Sequence, residues 1–541
     1  MRKSCLSFKK VASLSFVNLF IALFIALFLN FPLGSFLYKL SVVNKLFSIS
    51  FLPLFFIVLT CFLYCAISLF SFPYIHKPLI SIILVCASLA QYFMLKYGII
   101  IDSAMIQNIF ETDYNEVFEL LSYQMIFMVL LFGILPSLLI CKLNISYPVQ
   151  ITDYLKFFLL SFLALIIFML LAFSQYKTFV SIFRNHRDIV LRIIPNNYIN
   201  GIYKNVKLML PKEKGEVISS EVNKNDDWQN HQRNTIFVFV IGEAARASNF
   251  SLNGYARETN PNLKKHQVLS FKNFYSCGTS TAISVPCIFS SLDRSNFSRN
   301  EFQYNDNLLN LIEKSGLDIL WIDNNSGCKS VCDGVRTIEM ESFLQNNSKK
   351  EIHDEEMLKI LKNHIEQNNK NDLFIILHQK GSHGPGYYKR TPEKFHKFKP
   401  ICDSVELQQC PSENIINSYD NTILYTDYFL SEIIEILEKE KNVNTVMFYV
   451  SDHGQSLGEN GIYLHGMPYL IAPKYQKHIP MIIWLSENFV KDFKIDQSCI
   501  NKSLDNQFSH DNLFHSILDI LKIDTKVKNN QLSLFNECKK Y

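Results

Sequence analysis

Charge is scarce in the first third of this chain. Over residues 1–175 of 541, runs of Phe, Leu and Ile stand where a soluble surface would carry acids and bases. That third cannot face water, whereas the remainder has an ordinary soluble composition. No basic patch interleaved with aromatics is present, which argues against a nucleic-acid binder. Neither an internal repeat nor a low-complexity tract occurs. The overall charge is nearly balanced, 53 Lys and Arg against 49 Asp and Glu for a net +4, and says little about partners. A basic start, Arg2, Lys3, Lys9 and Lys10, precedes the first apolar run, yet no small-residue cleavage signal follows it. A removable signal peptide is therefore rejected. A chain this long is expected to hold at least two domains.

What is present begins with five apolar runs long enough to cross a bilayer, near 12–33, 47–72, 79–95, 124–141 and 156–174. Pro53 and Pro136 are candidate kink sites within them. Basic residues mark the N-terminus, the turn at His76 and Lys77, and the loop holding Lys142. The 96–123 loop is acidic, with Asp102, Glu111, Asp113, Glu116 and Glu119. By the positive-inside rule the N-terminus is cytoplasmic and that loop is outside. Five spans then carry everything after about residue 175 outside as well.

Cysteine usage agrees. Of 13 Cys, five lie in or beside the apolar runs, where Cys behaves as a small apolar residue. In the soluble part Cys277/Cys287, Cys328/Cys332 and Cys402/Cys410 form close-spaced pairs, which mean metal or disulfide. The Cys328–Cys332 spacing has no matching second zinc half-site. In an extracytoplasmic domain disulfides are expected. A bridge across 277–287 would contribute only about 2–3 kcal/mol by loop closure, so its expected role is to shape a loop. Cys499 and Cys538 are a candidate fourth pair.

The expected organisation is a membrane domain over 1–175, an amphipathic linker and polar tether over 176–232, and a catalytic domain over 233–541. In the linker Phe179, Ile182, Phe183, Ile189, Val190 and Ile193 recur at helical spacing with Arg184, Arg187 and Arg192 between them. This suits a helix at the membrane surface, and a plain connecting helix is the alternative. From 235 onward strand-like runs at 235–241, 318–322, 373–378, 445–450 and 481–485 alternate with helical patterns near 304–315, 354–368, 413–440 and 508–521. That alternation predicts an α/β domain with a mainly parallel sheet covered by helices on both faces.

Open sheets of this kind place ligands at the carboxyl ends of their strands. The 445–450 run ends in Ser451-Asp452-His453-Gly454, a carboxylate and an imidazole side by side, suited to zinc. A helix-capping Asp beside a hydrogen-bonded His is the plain alternative. The first strand ends in Gly242-Glu243-Ala244-Ala245-Arg246. The 276–287 loop is rich in hydroxyls, and a hydroxyl at a helix N-terminus beside a cation is a sensible nucleophile; a string of ordinary N-caps is the alternative. Asp323-Asn324-Asn325-Ser326-Gly327-Cys328-Lys329 offers amide, hydroxyl and ammonium donors to an anion, and the 373–378 strand ends in His378 with His383 five residues on. Any one of these is weak alone, but five segments agree.

Together these residues resemble the phosphoethanolamine transferases that modify lipid A in Gram-negative bacteria, a family that includes the mobile colistin-resistance enzymes. The resemblance runs through Gly242-Glu243-Ala244-Ala245-Arg246, Asn253-Gly254-Tyr255-Ala256-Arg257-Glu258-Thr259-Asn260-Pro261, Cys277-Gly278-Thr279-Ser280-Thr281-Ala282, Ser284-Val285-Pro286-Cys287, His383-Gly384-Pro385, Ser451-Asp452-His453-Gly454, Gly458-Glu459-Asn460-Gly461 and His465-Gly466. It implies an alkaline phosphatase/sulfatase fold for the soluble part and resistance to polymyxins as a cellular outcome. Thr281 matches the family's nucleophile. Glu243, Asp452 and His453 match the other zinc ligands, Thr281 being the fourth. His383 and His465 match residues near the transferred phosphoryl group, in some members holding a second zinc. Lys329, Asn325 and Ser326 match substrate-pocket positions, and Asn108, Thr112 and Glu116 match residues proposed to receive the phospholipid head group. One departure stands out: Gln455 occupies a position where many members have Glu.

The implied reaction moves phosphoethanolamine from phosphatidylethanolamine to lipid A, or to another lipooligosaccharide or surface glycan, through a phospho-threonine. The implied location is the bacterial inner membrane with the catalytic domain in the periplasm. A phosphoglycerol transferase or phosphodiesterase of the same superfamily is the runner-up. A sulfatase is disfavoured because the loop lacks Cys/Ser-x-Pro-x-Arg, and a non-catalytic receptor because every matched catalytic position is intact.

Overall fold

The computed structural model describes all residues except 1–10, 43–46, 112–116, 119, 210–220, 225–227, 229–232, 345–350, 369 and 539–541. Its contacts gather into two units, Met1–Ile106 with Leu121–Asn205, and Gln107–Leu120 with Val206–Tyr541.

In the first unit four helices are long and apolar enough to cross a bilayer: Phe51–Leu69, His76–Tyr97, Tyr123–Lys142 and Ile151–Ser174. A fifth candidate is broken, Leu14–Leu29 joining Phe31–Val42 at a 57° bend. The bend falls on Asn30, whose buried amide donates to the Ile25 and Ile194 carbonyls (2.9 and 2.8 Å) and accepts from the Ile194 N–H (2.9 Å). A side chain that closes its own hydrogen bonds makes a broken helix tolerable where water is scarce.

The linker region is helical at Tyr176–Asn185 and again at Asn196–Met209. The second of these helices is turned inside out. Asn197, Tyr198, Gly201 and Asn205 are its buried face, whereas Ile199, Ile202, Tyr203 and Val206 are exposed. Gly201 permits the close approach, since a Cβ there would sit 2.7 Å from Ile106.

The second unit is built on an eight-stranded sheet. In chain order the strands are β1 Thr235–Gly242, β2 Leu269–Tyr275, β3 Asp318–Asp323, β4 Arg336–Glu339, β5 Leu373–His378, β6 Asn444–Ser451, β7 His478–Leu485 and β8 Gln507–Ser509. Their spatial order is β8-β2-β7-β6-β1-β5-β3-β4, and every neighbouring pair is parallel except the two that include β7. Alternate residues of the central strands feed two cores. Phe237, Phe239, Ile241, Phe374, Phe448 and Val450 pack on one face; Val238, Val240, Ile375, Leu377, Met447 and Tyr449 pack on the other. Burial on both faces explains why β1, β5 and β6 read as unbroken apolar runs. The register pairs Gly242 with Ser451 and Ile241 with both Val450 and His378, so three chemistry-bearing strand ends finish level.

Disulfides join Cys277–Cys287, Cys328–Cys332, Cys402–Cys410 and Cys499–Cys538.

Candidate active site

The carboxyl ends of β1 and β6 lie side by side, and each delivers a carboxylate. Glu243 and Asp452 are buried, with one oxygen of each (Glu243 Oε1 and Asp452 Oδ2) accepting no hydrogen bond from the described residues. His453 follows directly. Its Nδ1–H donates to the Gly454 carbonyl (2.8 Å), which fixes the tautomer and turns the Nε2 lone pair inward. That nitrogen stands 3.4 Å from Glu243 Oε1 and 3.4 Å from Asp452 Oδ2.

Beside them lies the hydroxyl-rich 276–287 loop. An eight-residue helix, Thr281–Ile288, begins at Thr281, which is buried, and the Cys277–Cys287 bridge closes over it. The Thr281 hydroxyl donates to Glu243 Oε2 (2.9 Å) and lies 3.4 Å from His453 Nε2. Ser280, the residue before the helix, is buried as well, and its hydroxyl has no hydrogen-bond partner among the described residues.

Several backbone contacts hold these parts in place. Ala244 adopts φ 55°, left-handed for a non-glycine residue, a strained conformation of the kind that persists where its surroundings enforce it. Its N–H donates to Asp452 Oδ1 (3.1 Å) and its carbonyl accepts from the Tyr419 hydroxyl (2.7 Å). Gly381, at φ 50°, carries the loop after β5 across Glu243; a Cβ there would meet the Glu243 carbonyl at 2.9 Å. Gly454 is tighter still, its Cβ position lying 2.0 Å from the Tyr475 carbonyl.

Three histidines converge. The His453 and His465 ring centroids are 4.3 Å apart, and those of His383 and His465 are 5.8 Å apart. One Glu243 oxygen and ring nitrogens of His453 and His465 fall within 4.8 Å of one another. Burial opposes the Glu243 charge, yet the imidazoles of His453, His383 and His465 outweigh it and hold the carboxyl well below the usual range. Asp452 moves the other way, raised by burial and by the neighbouring Glu243. His465 is held low, first by burial and then by His453.

The remaining expected residues divide. Asn325 sits in the centre, its amide donating to Glu243 Oε2 and to the Gln379 carbonyl, both at 2.9 Å. Ser326 and Lys329 are on the same loop, the Lys329 ammonium donating to the Ser326 carbonyl (2.8 Å). Asn108 lies on the helix Ser103–Glu111, whereas Thr112 and Glu116 fall outside the described residues. The sequence reading missed His510 and Gln455 as structural partners of the site. His510 accepts the Cys277 N–H at Nδ1 (3.1 Å) and donates from Nε2 to the Ser451 carbonyl (3.0 Å), tying the Thr281 loop to β6. Gln455 accepts from His465 Nδ1 (2.9 Å) and donates to the Tyr387 hydroxyl (2.9 Å).

The donor set fits a zinc ion. Two ligand atoms about 2.1 Å from a tetrahedral zinc stand about 3.4 Å apart, matching the separations around His453 Nε2. Two buried carboxylate oxygens without donors would each cost about 1–3 kcal/mol or more, and a cation is the natural partner for both.

Comparison with known proteins gives the family. The Sulfatase family model matches residues 235–523, and the model described as Phosphoethanolamine transferase EptA/EptB matches residues 59–209. The chain is similar to Phosphoethanolamine transferase EptA of Escherichia coli (strain K12), 39% identical over 472 residues, 85% of each protein. It is also similar to Phosphatidylethanolamine transferase Mcr-1 of Escherichia coli, 37% identical over 76% of this chain and 79% of that protein. Among solved structures, the integral membrane protein lipooligosaccharide phosphoethanolamine transferase A from Neisseria meningitidis superposes with a TM-score of 0.92 at 32% identity, covering 98% of this chain and 100% of that one.

Proposed function

Because the chain belongs to the phosphoethanolamine transferases of the EptA and Mcr-1 type, and is therefore a transferase of that group, we propose that it moves phosphoethanolamine from phosphatidylethanolamine to lipid A by way of a phosphorylated Thr281. We place the spans in the bacterial inner membrane and the catalytic domain, from about residue 233, in the periplasm. The Thr281 hydroxyl, 2.9 Å from Glu243 and 3.4 Å from His453 at the start of a helix, carries this reading.

Glu243, Thr281, Asp452 and His453 would hold one zinc, with His383 and His465 available to a second. When bound, the ion lowers the pKa of the hydroxyl and neutralises charge on the phosphoryl oxygens. Glu243 orients the Thr281 hydroxyl through its hydrogen bond. The helix N-terminus and the Lys329 loop favour the phosphoryl group. In the first step the Thr281 oxygen bonds to phosphorus, the bond from phosphorus to the glycerol oxygen breaks, and the hydroxyl proton ends on diacylglycerol. His465, kept neutral by burial and with its ring centroid 4.3 Å from that of His453, would be the group to move that proton. In the second step an acceptor oxygen of lipid A bonds to phosphorus and the threonine oxygen leaves, regaining a proton.

The test is Thr281→Ala against Ser280→Ala in the full chain. Transfer should fall about a thousandfold or more in the first and stay near wild type in the second, and the intact mass of wild type given phosphatidylethanolamine should show an adduct mapping to Thr281. Near-normal transfer by Thr281→Ala would overturn the reading.

A further inference from the structure

The stretch that follows His465 has an unusual surface. Between Pro468 and Tyr475 the chain makes a tight turn, the Ile471 and Ala472 N–H groups both donating to the Pro468 carbonyl (3.0 and 2.9 Å). At its tip Leu470 is 87% exposed, flanked by exposed Ile471 and Tyr475. Two adjacent aliphatic side chains presented to water at the end of a loop are costly unless something apolar receives them. Around the tip stand cations. Arg294 stacks on the Tyr469 ring at 3.8 Å, Lys477 lies over the same ring at 5.0 Å and donates to the Tyr469 carbonyl, and Lys474 is exposed beside them. Asp511 accepts the Arg294 backbone N–H (2.9 Å) and lies near enough for the guanidinium to favour its charged form, which leaves the cations in excess among the described residues around the tip.

An apolar tip with a cationic collar matches the order of layers in a leaflet of anionic lipids: acyl chains within, phosphates outside. The base of the turn is fastened to the active site. The Thr279 hydroxyl donates to the Met467 carbonyl (2.6 Å), the Gly466 N–H donates to the Thr279 carbonyl (2.8 Å), and the Gly454 N–H donates to the Gln476 carbonyl (3.0 Å). Arg246, three residues past Glu243, lies under the Tyr475 ring at 4.8 Å. Whatever the tip meets is thus registered against Thr281 and His453.

We propose that the Tyr469–Tyr475 turn is a bilayer contact: Leu470 and Ile471 enter the acyl region while Arg294, Lys474 and Lys477 face lipid phosphates, presenting the leaflet to the nucleophile. The kinetic part of this inference rests on the transferase reading; the insertion itself does not.

The full chain in nanodiscs tests both. All three native Trp residues, Trp228, Trp321 and Trp484, are buried in the catalytic unit, so a Leu470→Trp variant adds the one exposed reporter. Its fluorescence should be quenched by phospholipids brominated on the acyl chains, and Lys474→Glu with Lys477→Glu should weaken that quenching in discs containing phosphatidylglycerol. Unquenched, solvent-like emission overturns the proposal. So does blue-shifted emission without bromine quenching, which would place the tip against a second copy of the chain. In the kinetic arm, Leu470→Asp with Ile471→Asp should slow diacylglycerol release from long-chain phosphatidylethanolamine by about ten- to a hundredfold, the scale set by burying one Leu side chain. Release from a monomeric short-chain phosphatidylethanolamine should be unaffected. Equal loss on both donors would overturn the proposal. If wild type turned over neither donor, the transferase reading would fail, and quenching would still decide for or against insertion.

Discussion

Asn325 and Glu243 are joined by a 2.9 Å hydrogen bond, and the same amide nitrogen gives its second hydrogen to the Gln379 carbonyl. Both donors are therefore engaged inside the protein. Asn325 acts on the site by holding a carboxylate in place, with its oxygen accepting the Ser326 N–H (2.8 Å).

Asn325→Ala should accordingly weaken metal retention by about ten- to a hundredfold, the usual effect of removing a partner of a ligand. A competition titration with a zinc chelator on the full chain measures it. Retention equal to wild type would return Asn325 to a role in binding substrate alone.

His510 gives a pH dependence with a definite sign. Its tautomer is set by the Cys277 N–H at Nδ1, and burial pushes its pKa from 6.5 down to about 3. The unfolded ring binds a proton below about 6.5, whereas the folded ring does not until about 3. Its contribution to stability is therefore full above 6.5 and declines as the pH falls from there toward 3, by at most about 1.4 kcal/mol per pH unit. Denaturation midpoints measured across that range should fall with acidity, and His510→Gln should flatten the curve. An unchanged slope in the variant would remove His510 as the cause.

Gln455→Glu tests the neutral state of His465. An anion at the position that now accepts the His465 Nδ1 hydrogen would raise a pKa that burial and His453 hold low. The acidic limb of the pH–rate profile should move up by about one unit or more. A limb that stays in place would show that His465 does not need to be neutral for transfer.

Much of this site was legible because β1, β5 and β6 are buried on both faces, so their apolar runs announce where Glu243, His378 and Asp452 must emerge. The weaker strands were not legible. β2 mixes exposed Lys272 with buried Phe271 and Phe274, β4 is a four-residue edge strand with little buried surface, and β8 is three residues long. The 508–521 pattern predicts one helix, but Gln507–Ser509 is a strand and His510–Asn512 a separate turn before Leu513–Ile520. The role of His510 depends on a residue 233 positions away, and Asn325 meets Glu243 across 82, so neither leaves a local signal. The same holds for Gln455, visible in the sequence as a departure but not as the partner of His465.

The bridge between Cys277 and Cys287 closes a covalent ring with Thr281 inside it. The geometry around Thr281 is thereby tied to an oxidation event, and thiols stay reduced in the cytosol. A newly made chain still on the reducing side of the membrane would carry every reacting residue but lack the ring that shapes their loop. On the proposed periplasmic placement, export would complete the Thr281 loop, and a cell deficient in disulfide formation should accumulate an intact but idle protein.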